Sequence, residues 1–216
     1  MDQIVLRVMR AVACVTRLEI LRLLVREGEL TPTALAKKLG ISLPAVSLHL
    51  QRLASAGLIR RRPSGRRCYC IAESAYGKDA LSGKMTAWLK RNLRSERRGL
   101  DSPAVRHRNH VAPGNGSFAK AVFEASTAFT NLRRIRLLAR LDRRKRVSSA
   151  ALTHELHMSP AALRRHLRKL ARRGYVEMCD EAPEETCRLA LAFKTPVHAE
   201  LFKIVRAAGY NAHPNQ

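Results

Sequence analysis

Aromatic side chains are scarce in this sequence, at 5% of its 216 residues. A core without them has to be filled by Leu, Ala, Val and Ile, which favours packed helices over sandwiched strands. Apolar residues still make up 46%, enough to bury a real core. Long apolar runs are missing too, since nothing approaches the ~20 residues that a membrane span requires. The opening segment MDQIVLRVMR is charged early and lacks the layout of a secretory signal. Cysteines are few and odd in number: Cys14, Cys68, Cys70, Cys179 and Cys187 do not make a disulfide framework. A reducing cytoplasm is the expected compartment. There is no glycine-rich phosphate cradle, no carboxylate pair in a catalytic pattern and no nucleophile motif, so neither an enzyme nor a bound cofactor or metal is expected. The last shortage is of negative charge: 17 Asp and Glu stand against 41 Lys and Arg, a formal net charge of +24.

Such a surplus opposes compaction by self-repulsion, and a polyanionic partner is the simplest reason to keep it. Arg outnumbers Lys, and its planar fork suits phosphate and guanine. Double-stranded DNA is therefore the expected partner, with no membrane partner, and solubility alone is the competing explanation of the charge. The surplus is spread along the chain: +10 over 1–90, +4 over 91–117 and +10 over 118–216.

One unit is written twice. ALAKKLGISLPAVSLHLQRLASAGLI, starting at Ala34, aligns without a gap on ALTHELHMSPAALRRHLRKLARRGYV, which starts 117 positions later at Ala151. Leu35 meets Leu152, Ser42 meets Ser159, His49-Leu50 meets His166-Leu167, and Gly57 meets Gly174. The expected fold is mainly α with small β-hairpin wings, as two tandem winged helix-turn-helix domains. The first spans 1–90, a basic linker covers 91–117, and a divergent second domain covers 118–216. In the first, a helix near 2–13 precedes another that Thr16 and Glu19, spaced for a capping box, would open. Thr31-Pro32 starts the next, Ser42 caps the one after it, and Gly57 ends that helix. Strands at 58–61 and 67–72 flank a Pro-Ser-Gly turn, and a closing helix covers 74–94. The second copy repeats the order, with helices near 118–128, 131–141, 149–157 and 160–173, strands near 175–179 and 187–192, and a last helix from Thr195-Pro196.

In a helix-turn-helix the second helix enters the major groove, and a hairpin behind it reaches the flanking backbone. Helical periodicity puts Val46, Leu50 and Leu53 inward. Pro44, Ala45, Leu48, Gln51, Arg52 and Ser55 then face outward, flanked by Ser47 and His49. Ser42, Ser47, His49 and Gln51 can bond base edges or phosphates. An outward Leu48 suits a thymine methyl, or is a plain surface leucine. Arg62, Arg66 and Arg67 cluster at the hairpin turn, where phosphates would lie. In the second copy Leu163, Leu167 and Leu170 face inward, while Ala161, Ala162, Arg165, Arg168, Lys169 and Arg172 face out, flanked by Arg164 and His166, a set for phosphates more than for selective reading. Its hairpin carries Glu177, Asp180, Glu181, Glu184 and Glu185, which phosphate repels, so the two copies should not dock alike.

The first copy resembles the ArsR-type winged-helix transcriptional regulators, through Ser42, Val46, Ser47, His49, Leu50, Leu53, Ala56, Gly57, Leu58, Gly65, Arg66 and Tyr69. The match covers about 6–90, and the second copy keeps only part of the pattern. The resemblance implies a DNA-binding regulator, typically a repressor, that docks as a two-fold dimer through its first and last helices. This chain carries two units, so the expectation is either an intrachain pseudo-dimer, with helices near 2–13, 74–94, 118–128 and 196–208 together, or a homodimer. A cytoplasmic, nucleoid-associated protein is implied. Metal-sensing relatives carry a Cys-x-Cys on the helix before the recognition helix, and TALAKKLG has no such ligands. His154 and His157 share a helix face but are only two ligands.

Other readings stay open. Tandem winged helices also suit an architectural or replication/partition protein, and the acidic second hairpin would permit a protein-interaction module. On the strand after the first turn, Cys68, Cys70 and Ala72 share one face, and two small thiols beside an alanine suit a close seat under the sheet. A thiol pair that senses a metal or an oxidant is the alternative.

Overall fold

The computed structural model describes residues 1–95, 106–107, 110–111, 118–144, 146–179 and 185–208. The first copy runs α1 (Asp2–Val12), α2 (Val15–Glu27), α3 (Pro32–Leu39), α4 (Leu43–Ser55), β1 (Arg60–Ser64), β2 (Arg67–Ile71) and α5 (Leu81–Ser95). A short pair, β3 (Arg106–His107) and β4 (His110–Val111), follows. The second copy runs α6 (Phe118–Ser126), a 3-10 turn at Thr127–Phe129, α7 (Leu132–Arg143), β5 (Val147–Ser148), α8 (Ser149–Leu156), α9 (Pro160–Arg172), β6 (Val176–Cys179), β7 (Thr186–Leu189) and α10 (Pro196–Ala207). The sheets are antiparallel: β1 with β2, β3 with β4, and β5-β7-β6 in that order.

The backbone forms two compact units. One is Arg10–Phe123; the other joins Met1–Met9 to Glu124–Gln216. In the first unit Leu18, Leu21, Leu24, Leu35, Val46, Leu50, Leu53 and Leu58 are buried, with Met85 and Trp88 of α5. Trp88 meets Phe118 edge-on at 5.1 Å. In the second, Ile135, Leu138, Leu152, Leu163, Leu167 and Leu170 are buried around an aromatic cluster of Phe129, Tyr175, Phe193 and Phe202. Val5, Val8 and Met9 of α1 are buried, and Asp2 pairs with Arg136 of α7 at 3.5 Å.

The 117-residue step extends well past the sequence match. Leu30 and Cys70 exchange backbone hydrogen bonds of 3.1 and 2.9 Å beside the first hairpin, and Val147 pairs with Cys187 in the second copy. Thr31 and Ser148 each accept from the backbone N–H three residues on, at 3.2 Å. Gly57 and Gly174 both hold φ 71° just past α4 and α9, where the following N–H groups turn back to α4 and α9 carbonyls. Arg17 and Arg134 repeat a less visible device. Arg17 is 6% exposed and donates from Nε to the Ala11 carbonyl and from Nη2 to that of Arg10, both at 2.6 Å, tying off the end of α1. Arg134 does the same to Ala128 and Thr127 at 2.8 and 2.9 Å, and adds the Thr130 hydroxyl. Burial lowers the pKa of both guanidiniums, yet fixed carbonyls oppose each of them.

Three local expectations change. Thr16 and Glu19 form no capping box: Cys14 is the N-cap of α2 and supplies no side-chain bond, Thr16 is buried, and Glu19 pairs with Arg22 at 2.6 Å. The closing helix starts at Leu81 instead of 74, because the preceding residues fold over its first turn. The backbone at Gly77 and Lys78 approaches Gly83 too closely for a Cβ. The first wing strand starts at Arg60 instead of 58, since the Leu58 N–H is still bonded to the Leu53 carbonyl of α4.

Candidate nucleic-acid interface

Ser42 caps α4, its hydroxyl accepting from the Ala45 N–H at 3.4 Å, and Pro44 follows in the first turn. Val46, Leu50 and Leu53 are buried as their spacing predicts. The opposite side is open: Ser42, Pro44, Ser47, Leu48, Gln51 and Arg52 are exposed, and Ala45 is half-buried. Leu48 is 48% exposed, and Leu43, which periodicity did not single out, is 44% exposed at the start of the same helix. His49 is half-buried and belongs more to the packing than to the open face.

Behind α4 the hairpin pairs Arg60 with Ile71, Arg61 with Cys70, Arg62 with Tyr69, Pro63 with Cys68 and Ser64 with Arg67, and Gly65 turns it at φ 57°. Its arginines divide into two sets. Arg60 pairs with Glu73 at 3.0 Å. Arg62 is gripped at both ends of the Glu29 carboxylate, Nε lying 3.2 Å from Oε1 and Nη2 close to Oε2, and its guanidinium lies 5.7 Å from the centre of the Tyr69 ring. The hydrogen bond from Arg62 holds the Glu29 carboxyl below its ordinary range. Arg61, Arg66 and Arg67 are exposed, with no carboxylate partner among the described residues. Arg62 thus sits at the hairpin with its charge already matched, while Arg66 and Arg67 stand free at the turn. Glu29 was missed by sequence reading: it lies 33 residues from Arg62, and no local pattern connects them.

The cysteine strand also splits. Cys70 and Ala72 are buried, 0% and 2% exposed, whereas Cys68 is exposed. Cys70 is bonded in place by Leu30, and burial pushes its thiol pKa up. Cys68 lies nearer the turn, opposite Pro63, where the hairpin projects beyond that support.

In the second copy, Ser159 caps α9 by accepting from Ala162 at 3.3 Å, and Leu163, Leu167 and Leu170 are buried. Arg164, Arg165 and Arg168 are exposed, while Lys169 is half-buried. Burial lowers the Lys169 pKa, helped by Arg173, Arg172 and Arg134. His166 is 7% exposed and is also held to lower pKa by burial first, then by Arg134, Arg165 and Arg133. The acidic hairpin consumes part of its own charge. Glu185 pairs with Arg164 at 3.6 Å, and Glu177 accepts from Arg188 at 2.8 Å and from the Leu191 N–H at 3.2 Å. Asp180, Glu181 and Glu184 lie outside the described residues. Between α8 and α9 is a cleft of about 280 Å³ whose lining includes Ser149, Leu163, Arg164 and Glu185. His154 and His157 do not gather a site: Glu155 between them is taken by Arg140 and Arg144, and no group of three metal-ligating side chains forms among the described residues.

A family described as winged helix-turn-helix DNA-binding matches residues 15–60 and again 130–177. The two matched segments end at Arg60 and Glu177, positions related by the same 117-residue step. The chain therefore carries two winged helix-turn-helix units, mainly helical with small antiparallel hairpins. No curated protein and no solved structure matches the chain. No helix among the described residues is long and apolar enough to cross a membrane.

Proposed function

We propose that the protein is a non-enzymatic transcriptional regulator of the ArsR type, a repressor, that inserts α4 into the major groove of double-stranded DNA. The observation that carries this is the open side of α4, where Leu48 and Gln51 face outward between Ser47 and Arg52, next to a hairpin with Arg61, Arg66 and Arg67 exposed. Gln51 offers the donor and acceptor that an adenine edge pairs with, and Leu48 offers an apolar surface to a thymine methyl. Arg66 and Arg67 hold the flanking phosphates, and Arg62 joins them when a phosphate competes with Glu29. Winged helix-turn-helix units in tandem, the net charge of +24 and the family match support the reading. Its place is the cytoplasm, on the nucleoid.

The domains are proposed as 1–90 and 118–216 about a linker at 91–117, acting as a pseudo-dimer within one chain. The repeat supports this. A homodimer that is obligate in analytical ultracentrifugation and crosslinks through two first domains would count against it.

Selection of bound duplexes from a random pool tests the main reading. A regulator holds its selected site at least ~10³-fold more tightly than random DNA. A ratio near one, with binding that falls steeply with salt, fits the architectural alternative, which the row of arginines on α9 favours.

A further inference from the structure

The two recognition helices can be compared position by position, because their buried residues coincide at the 117-residue step. At most of the outward positions the residue type changes. Ser47 becomes Arg164, Leu48 becomes Arg165, Gln51 becomes Arg168 and Ser55 becomes Arg172, while Arg52 and Lys169 keep the charge. All four of those arginines are exposed. We propose that α4 alone reads bases and that α9 is a sequence-neutral phosphate anchor, so that each chain recognises one block of base pairs beside a stretch selected only by its charge.

Arginine can also read guanine, and two features argue against that use here. The short Ser47 and Ser55 let α4 approach the groove floor, whereas long side chains at all four equivalent positions hold α9 outside and reach phosphates from there. The hairpin beside α9 carries Glu185, paired with Arg164, where the first hairpin presents free arginines. A carboxylate at that place repels the phosphates that must flank an inserted helix. Two symmetric half-sites per chain, the usual outcome of a repeated unit, are therefore not expected.

The proposal rests on the DNA-binding reading above, and its test keeps the two separate. Affinities of the full chain for the selected duplex and for a random duplex are measured over a salt series, for the wild type and two variants. All substituted residues except the half-exposed Leu48 are solvent-facing polar groups, and circular dichroism confirms that each variant is folded. Leu48→Ala/Gln51→Ala should cut the selected-to-random ratio by roughly 100-fold and leave random-DNA affinity in place. Arg165→Ala/Arg168→Ala/Arg172→Ala should weaken both duplexes by the same factor and make the salt dependence shallower by about 2–3 in log-log slope, with the ratio unchanged. A triple-variant ratio that drops tenfold or more overturns the proposal, since α9 then reads bases. Unchanged affinity and slope also overturn it, since α9 then makes no phosphate contact. A wild type that binds no DNA at all would sink the parent reading as well.

Discussion

The step that carries Leu30 and Cys70 onto Val147 and Cys187, and Arg17 onto Arg134, also turns Gln51 into Arg168 and Arg62 into Cys179. Between the two copies, positions that satisfy backbone or fill the interior keep their chemistry. Most positions that face solvent do not. The bracing contact of each wing shows both rules at once. In the first copy Glu29 holds Arg62; in the second the equivalent residues, Arg146 and Cys179, also meet, with Nη2 4.0 Å from Sγ. The contact between these two positions survives, but the ion pair of the first copy is replaced by a guanidinium–thiol contact in the second. A duplicated fold thus leaves the framework under the constraint of buried hydrogen bonds, while the exposed face is free to diverge.

The largest expected effect that would break this comparison is at the shared arginine. Arg17→Ala leaves the Arg10 and Ala11 carbonyls without their donor and should cost about 2–3 kcal/mol in urea unfolding. Arg134→Ala should cost less, about 1–2 kcal/mol, because its site is more open to water. Negligible losses would show that the repeated device does not matter to stability, and equal losses that the difference in exposure between the two sites does not.

Acid should separate the copies next. His166 and His198 of the second copy are both held to lower pKa, each chiefly by burial. His198 is 1% exposed, with Nδ1 2.8 Å from the Thr195 hydroxyl and no partner at Nε2 among the described residues. In the unfolded chain these histidines take up protons more readily, near pH 6.5. Their contribution is therefore complete above that pH and is lost as pH falls through the folded-state values. Amide hydrogen exchange of residues 124–208 at pH 7.5 and 5, corrected for the intrinsic rates, should show the second unit weakening, and His198→Phe should blunt the loss.

A smaller effect sits at the turn between the two helices. Gly40 holds φ 66° there, and His157 holds the same left-handed conformation at 48°. His157→Gly should stabilise the second copy by about 0.5–1 kcal/mol, and Gly40→Ala should destabilise the first by a similar amount. Thermal melts of the two variants give the sign directly.

The smallest change is at the wing brace. Glu29→Gln removes the carboxylate that occupies Arg62, and DNA affinity should rise a few-fold with a salt slope steeper by about one. Weaker binding would mean that Glu29 positions Arg62 instead of competing for it.

Much of the framework was legible beforehand. Ser42 and Ser159 at the caps, the Val46-Leu50-Leu53 stripe and the Gly57 turn are set by contacts three or four residues apart, which a linear pattern displays. The open side of α4 follows from the same period. The exposed Cys68 did not follow, since alternation placed it with Cys70 and could not reveal how far the hairpin projects past its support. The start of α5 was misplaced for a related reason: Gly83 is shaped by the backbone of Gly77 and Lys78 folding back on it.

The sequence by itself determined the repeat, the helix boundaries set by caps, and the charge contrast between the two wings, all of which are local or countable. Only the tertiary structure decided which arginines are free. Glu29 reaches Arg62 and Glu185 reaches Arg164 because chain folding brings distant carboxylates within a few ångströms. Coulomb energy depends on that separation in space and is blind to separation along the chain.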